Sequence, residues 1–303
     1  MDICLWNKCN NRCLMCTNPS DFWESDVYTQ RFLEQRLREL KKDLAAADSI
    51  LLTGGEPTIH PKFLSVLKFA SQNYPDHRLD LLSNGRRFFY EDFTQEVMKT
   101  PNLVVAVALH GFNSQTHDRI TRSAGSFEQT LQGIRNILNF KNEKLNQVIE
   151  IRVVISRLNY RFLTKILKLI KKEFGQADRV VLIFLEVEGR GSDNFAKVGL
   201  TYAKFRPYLE KIYPFFGKFN ELRLYHFPLC TLPSKFWPYV WRTLPEYEIT
   251  FLSACSQCLY KKYCLGIHHG YLEKVGPREF RAIKNNFKIK SSKNFYRPII
   301  DIA

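Results

Sequence analysis

The chain has 303 residues, 45% hydrophobic and 14% aromatic, enough apolar material for a full core. No apolar run approaches the roughly 20 residues of a helical membrane span, and the opening run MDICLW carries no basic leader, so a cytoplasmic protein is expected. The formal charge of +15 favours acidic partners, whether an acidic peptide, nucleic acid or anionic lipid, unless it only solvates the surface.

In chain order, short apolar runs alternate with longer helical patterns. Strands are predicted over residues 2–6, 49–53, 79–82, 103–109, 148–155 and 180–185, and helices over 30–47, 61–73, 90–98, 126–140 and 161–174. Pro61 suits a helix start, and Ser126 reads as an N-cap with Gln129 as its capping-box partner. This alternation argues for an α/β fold with parallel strands and right-handed crossovers. Composition shifts near residue 190, at GRGSDN. Beyond it lie one helix near 202–215, a short strand at 221–225, and irregular chain rich in proline and cysteine. The segment 284–293 is lysine-rich and of doubtful order; across the tail from Lys274 to Arg297 basic residues are interleaved with Phe280, Phe287, Phe295 and Tyr296, a pattern that suits single-stranded nucleic acid or simple packing on the domain.

The chemistry is concentrated in cysteine. In a reducing compartment the clustered cysteines among Cys4, Cys9, Cys13, Cys16, Cys230, Cys255, Cys258 and Cys264 point to metal before disulfides. Cys9, Cys13 and Cys16 are spaced C-x3-C-x2-C after the first strand. A structural zinc site wants four ligands, as does a cluster that only carries electrons. Three thiolates can hold three irons of a cubane and leave the fourth iron open to a small molecule; the alternative is a zinc loop completed by a distant residue. The second strand ends in TGGEP, where Gly54 and Gly55 permit close backbone approach, Glu56 can accept from an ammonium, and Pro57 stiffens the turn. Downstream, Cys230 precedes Cys255, Cys258 and Cys264 in C-x2-C-x5-C spacing, four thiols for one closed site. Spacing does not separate zinc from iron–sulfur there. Cys4 lies inside strand one and reads as a small core residue.

The cysteine loop followed by GGEP resembles the radical S-adenosylmethionine (SAM) superfamily, and the resemblance covers most of the chain at the motif level. It implies a partial (βα)6 TIM-like barrel over residues 1–195, with chemistry at the C-terminal ends of the strands. It implies a 4Fe–4S cluster with an open iron on Cys9, Cys13 and Cys16, and SAM held through its amino group by Gly54, Gly55, Glu56 and Pro57. One electron then cleaves SAM to methionine and a 5′-deoxyadenosyl radical, which takes hydrogen from an unactivated C–H. Ser83 and Asn84, at the end of strand three, are placed for the ribose or carboxylate, or form only an Asn-Gly turn. Arg152, a charge within an apolar strand, faces either the SAM carboxylate or the surface. Asn159 matches a polar loop position, and Glu186 and Gly189 are expected near the adenine.

The segment after strand four, with His117, Asp118, Arg122, Gly125, Ser126 and Phe127, resembles that of peptide-modifying members of the superfamily. His110 either trades a proton with substrate or is a satisfied loop histidine. Residues 196–303 look like a short, irregular, cysteine-rich SPASM/twitch extension, which implies an auxiliary 4Fe–4S cluster on Cys230, Cys255, Cys258 and Cys264. Gly266, His268, His269 and Tyr271 then border the substrate cavity or form a turn and helix start. The pattern is similar to maturases of ribosomally made peptides, including His-Xaa-Ser systems. The expected partners are a precursor peptide, a separate leader-binding protein and a flavodoxin- or ferredoxin-like electron donor. A mutase or dehydrogenase of small molecules fits the same motifs, and a metal-bearing nucleic-acid binder is disfavoured because it has no use for a SAM pocket.

Overall fold

The computed structural model describes residues 2–19, 28–39 and 49–302. Its centre is one eight-stranded sheet in sequential order, β1-β2-β3-β4-β5-β6-β7-β8. The strands are β1 (Asp2–Cys4), β2 (Ser49–Thr53), β3 (Arg78–Ser83), β4 (Leu103–Ala108), β5 (Val148–Ile155), β6 (Arg179–Phe184), β7 (Leu222–Tyr225) and β8 (Val240–Trp241). Every neighbouring pair is parallel. Among the described residues no pairing joins β8 back to β1, so the barrel is incomplete. The six strands predicted up to residue 185 and the short strand predicted at 221–225 are all present, and β8 extends the sheet after them.

Helices connect the strands: α1 (Gln30–Glu39), α2 (Phe63–Asn73), α3 (Glu91–Val97), α4 (Ser114–Thr121), α5 (Ser126–Phe140) and α6 (Leu163–Phe174). The remainder of the helix predicted to 47 lies outside the described residues. Pro61 occupies the turn before α2, which begins at Phe63. α4 was not predicted; its polar sequence SQTHDRIT hides the three buried positions His117, Ile120 and Thr121.

α5 begins at Ser126 as expected, but its cap differs. Gly125 is the N-cap residue and offers no side chain. Asp118 of α4 reaches across instead: it accepts from the backbone N–H of Gly125 and Phe127 and from Ser126 Oγ, each at 2.8 Å. A carboxylate there satisfies orphan donors and complements the helix dipole. Gln129 accepts from Arg86 Nε at 2.7 Å rather than closing a capping box.

Each strand alternates between two environments. On β5, Ile149, Ile151, Val153 and Ile155 are fully buried in the core that also contains Ile134, Ile137, Ile166 and Ile170 of α5 and α6. Glu150, Arg152 and Val154 project to the opposite, barrel-interior face. Polar side chains fill part of that interior. Glu150, almost fully buried, accepts from Arg152 Nε at 2.5 Å and lies 3.8 Å from Arg179 Nη1. Glu221 bonds Arg179 and Arg223 at 3.0 and 2.8 Å. The Arg223 guanidinium stacks 3.6 Å over Trp241. Buried charge of this kind persists only where paired and hydrogen-bonded.

After β6 come the short helices α7 (Gly189–Asp193), α8 (Phe195–Val198) and α9 (Tyr202–Ile212). The chain past β8 forms a small antiparallel pair, β9 (Ile249–Thr250) with β10 (Ile267–His268), then α10 (His269–Val275). In the basic tail, β11 (Ile289–Ser291) pairs antiparallel with β12 (Ile299–Ile302). Phe280 is buried and Phe287 packs edge-on to Trp237 at 5.3 Å, so these two aromatics belong to the core, whereas Phe295 and Tyr296 are exposed.

Candidate active site

The loop after β1 carries Cys9, Cys13 and Cys16, and four elements pin it. The backbone of β2's end runs beside it, with Gly55 N–H donating to Trp6 O and Glu56 N–H to Lys8 O, both at 2.9 Å. This approach explains both glycines. A Cβ on Gly54, whose φ is +139°, would meet Trp6 O at 2.4 Å, and one on Gly55 would meet Lys8 O at 2.3 Å. On another side, Arg12 and Leu14 N–H donate to Thr121 and Ile120 O of α4 at 2.8 and 3.0 Å. On a third, Gly191 and Arg190 N–H donate to Cys16 O and Asn18 O at 3.0 and 3.1 Å. A Cβ on Gly189 would meet Thr17 O at 2.1 Å, so the loop after β6 lies directly on the cysteine loop.

The fourth support comes from β3's end. Asn84 Nδ2 donates to Asn10 Oδ1 at 2.7 Å and sits 3.8 Å from Cys9 Sγ. Arg86 spreads its guanidinium over the cysteine loop: it donates to Asn10 O, to Asn11 Oδ1 and Ser123 Oγ at 2.9 Å, and to Gln129. Sequence reading missed this arginine, as it missed Asn10, Asn11 and Asn18; the only signal was an arginine immediately after the Asn-Gly at a strand end. Arg190, also missed, is a cationic neighbour that favours the thiolates of Cys13 and Cys16.

The three thiols are partly buried and unpaired by disulfides. Burial pushes Cys9 up to about 12, helped by Glu56 and Cys16, and raises Cys13 and Cys16 as well. Cys13 also feels both other thiols, so three negative charges here disfavour one another. Converging thiols that resist ionisation alone, yet are held by a rigid polar frame, fit a cationic iron cluster that would neutralise them.

Glu56 is buried, and its carboxylate is heavily committed. Oε1 accepts from Thr58 N at 3.2 Å, Thr58 Oγ1 at 2.6 Å and Ser83 Oγ at 2.8 Å, while Oε2 accepts from Asn84 N at 2.7 Å. Its pKa is nevertheless raised, because burial outweighs these bonds. Pro57 opens the short 3-10 turn that Glu56 caps. Asn84 therefore bridges Glu56 to the cysteine loop, while Ser83 bonds Glu56 and the Gly85 N–H. Gly85, at φ +79°, makes the expected turn, and a Cβ there would strike Val107 at 2.5 Å.

Other expected residues fall elsewhere. Arg152 finds its partner in Glu150 on its own strand. His110 is buried; its Nδ1 accepts from Val154 N at 3.3 Å, and desolvation drops its pKa to about 3, so the ring is neutral. His117 Nδ1 accepts from His110 N at 3.2 Å, and its pKa likewise falls to about 3 by burial. Asn159 ties strand ends together, donating to His110 O at 3.0 Å and Val154 O at 2.8 Å. Arg122, in the left-handed region at φ 55°, ends α4. Glu186 faces Glu188 and Glu248; burial and those carboxylates raise its pKa to about 8.

Cys230, Cys255, Cys258 and Cys264 all line one cavity, with apolar walls that include Leu229, Phe251 and Ile283. Burial pushes Cys230 up to about 12, and the other three thiols add to the shift. Backbone N–H groups of Gly266 and Ile283 point at Cys264 Sγ and Cys258 Sγ at 3.5 and 3.4 Å. Four thiols lining one largely apolar pocket with amide donors suit a thiolate-bound centre. Cys4 is apart from both sets, with its Sγ 3.6 Å from Trp6 O. Tyr271 is buried against Tyr202 at 4.8 Å and bonds Glu279, so it packs the extension onto α9.

An incomplete parallel barrel with a three-cysteine loop pinned at its C-terminal rim defines the class, and the sequence agrees: the profile of the Radical SAM superfamily matches residues 3–173. The chain belongs to the radical SAM superfamily. An AdoMet-dependent heme synthase of Methanosarcina barkeri is 24% identical over 188 residues, covering 61% of this chain and 50% of that one. A probable GTP 3′,8-cyclase of Thermococcus kodakarensis is 28% identical over 149 residues, 48% of this chain and 46% of that one. The chain thus spans about half the length of these relatives. The antilisterial bacteriocin subtilosin biosynthesis protein AlbA of Bacillus subtilis is 27% identical over 43% of this chain and 28% of its own. In fold, SuiB of Streptococcus suis bound to S-adenosylmethionine superposes with a TM-score of 0.62 at 14% identity, covering 93% of this chain and 76% of that one; SuiB has also been seen bound to the precursor peptide SuiA. Among the described residues no helix is long and apolar enough to cross a membrane.

Proposed function

We propose that this radical SAM enzyme oxidatively modifies a ribosomally made precursor peptide. The observation that carries the reading is the second cavity, in which the four cysteines beyond the first three converge. Similarity of fold to SuiB across 93% of the chain and sequence similarity to AlbA support it, as does a charge of +15 that suits an acidic peptide segment.

In this reading Cys9, Cys13 and Cys16 hold a 4Fe–4S cluster, and Gly54, Gly55, Glu56 and Pro57 shape the bed for the SAM amino group. When bound, the cluster and SAM supply a 5′-deoxyadenosyl radical, and an auxiliary 4Fe–4S cluster on Cys230, Cys255, Cys258 and Cys264 supplies an acceptor for the electron released from substrate. The chain's own residues position and seal. Glu56 fixes Ser83 and Asn84, Asn84 and Arg86 fix the cysteine loop, and the buried neutral His110 and His117 close the rim of β4 without adding charge. A flavodoxin- or ferredoxin-like donor and a separate leader-binding protein complete the system.

Anaerobic reconstitution tests it. About eight irons per chain are expected from two cubanes, with 5′-deoxyadenosine release stimulated by a peptide encoded in a short reading frame beside the gene. About four irons with bound zinc would remove the auxiliary cluster. The sequence relatives named as a GTP cyclase and a heme synthase favour a second reading, a small-molecule substrate; full turnover without any peptide would establish that reading over the first.

A further inference from the structure

Outside both cysteine sites, four metal-ligating side chains converge. Glu186 and Glu188 follow β6, Glu248 precedes β9, and His268 ends β10; one ligand atom from each lies within 4.8 Å of all the others. Ligand atoms held about 2.0–2.5 Å from one ion stand roughly 3–5 Å apart, so this spread matches first-sphere coordination. The three carboxylates have no Lys or Arg ion pair among the described residues; the ion pairs of Glu186 and Glu188 are with His226 and His268.

The fourth ligand is an imidazole, which takes the group beyond a cluster of carboxylates. His268 is only 7% exposed, with Nε2 3.2 Å from Glu188 Oε1, while its Nδ1 is buried without a hydrogen-bond partner among the described residues. With no partner at Nδ1 to fix its tautomer, the ring can present the Nε2 lone pair toward the carboxylates. The backbone around it is tight as well: a Cβ on Gly270 would meet Val187 O at 2.1 Å, so the β10–α10 turn and the loop after β6 are in direct contact.

We propose that Glu186, Glu188, Glu248 and His268 bind a divalent cation that clamps the loop after β6 to the β9–β10 pair. Three oxygen ligands and one imidazole suit an ion of the manganous or ferrous kind more than a thiolate-seeking one. The same loop carries Gly189, Arg190 and Gly191 against the cysteine loop, so the clamp holds the extension and the cysteine loop to one support. The site stands whatever the substrate is.

The test uses the full chain with its clusters oxidised and titrates Mn2+ anaerobically, following the free-ion electron paramagnetic resonance signal. The expected result is one saturable Mn2+ per chain and a rise in Tm with Mn2+. In the double variant Glu188→Gln/Glu248→Gln, affinity falls at least tenfold while iron content stays at the wild-type level. Glu246→Gln, an exposed carboxylate two residues from Glu248, leaves Mn2+ affinity unchanged. Absence of saturable Mn2+ binding in the wild type at millimolar ion overturns the proposal, as does equal binding by the double variant. Because neither readout needs turnover, failure here is distinct from failure of the peptide reading.

Discussion

Replacing Glu56 with Gln probes how the SAM bed is built. The carboxylate accepts four hydrogen bonds: three at Oε1, from Thr58 N, Thr58 Oγ1 and Ser83 Oγ, and one at Oε2 from Asn84 N. The best placement of the amide keeps its oxygen at the Oε1 position. The NH2 group then faces the Asn84 N–H, two donors where the native distance is 2.7 Å. Losing that charge-assisted bond and leaving a buried donor unpaired costs about 3 kcal/mol. Part is returned, because the raised pKa of Glu56 shows that its charge is buried at a cost. The expected net loss is about 1–2 kcal/mol in anaerobic urea unfolding of the apoprotein. The functional effect is larger than that figure suggests, since Asn84 is the link to Asn10 beside Cys9. Arg86 still holds Asn10 and Asn11, so iron content of the reconstituted enzyme should stay near the wild-type level while 5′-deoxyadenosine release falls about tenfold or more. A Glu56→Gln enzyme with wild-type stability and wild-type nucleoside release would refute the claim that this carboxylate organises the bed.

Alanine at Cys9, Cys13 or Cys16 should abolish 5′-deoxyadenosine release, whereas Cys4→Ala, outside both thiol sets, should retain it. Cys255→Ser should remove about four irons per chain and stop product formation while SAM cleavage persists, as read by iron assay and chromatography. Arg86→Ala strips the guanidinium contacts to Asn10, Asn11, Ser123 and Gln129; it should cost on the order of 3 kcal/mol and shorten cluster lifetime in air, followed by the visible absorbance. His110 and His117 are each depressed to about 3 from 6.5. Their stability contribution is complete above pH 6.5 and is lost as pH falls toward 3, so each should cost about 2 kcal/mol by pH 5; a flat urea midpoint from pH 7 to pH 5 would contradict this.

Much of the barrel was legible because β5 and its neighbours are apolar runs separated by helices of matching period. The strands at 49–53 and 148–155 coincide with the observed ones. Helix α4 was not legible: its buried set consists of His117, Ile120 and Thr121, and two of those three read as polar. β8 is two residues long and exists only through pairing with β7, so no local pattern announces it. The α5 cap shows the same limit. Ser126 sits at the right place for a cap, yet Asp118, eight residues earlier, supplies the bonds, and only tertiary structure brings it there. Cysteine spacing is legible because thiol ligands act at short range. Arg86 is a ligand to carbonyls and amides far away in sequence, and nothing near it says so.

The supports of the cysteine loop are coupled rather than parallel. Glu56 holds Asn84, Asn84 holds Asn10, and Arg86 holds Asn10, Asn11 and the loop before α5 through Ser123. Each link is a hydrogen bond of ordinary strength, worth about 1 kcal/mol net, or more where charged. Their value lies in having few alternatives. Gly54 and Gly55 leave the β2 backbone no room to shift away from Trp6 and Lys8 once a Cβ is present. A substitution at either glycine, such as Gly55→Ala, must therefore displace the loop itself, since the nearest obstacle is the backbone oxygen of Lys8 at 2.3 Å and not a side chain that can rotate aside. Overpacking against backbone costs about 1–3 kcal/mol, and here the strain falls one residue from Cys9. Gly55→Ala should consequently lower the iron retained after gel filtration, which Glu56→Gln should not. That opposite ordering separates a loop held by shape from a bed held by hydrogen bonds, and equal iron retention in the two variants would show that the distinction is false.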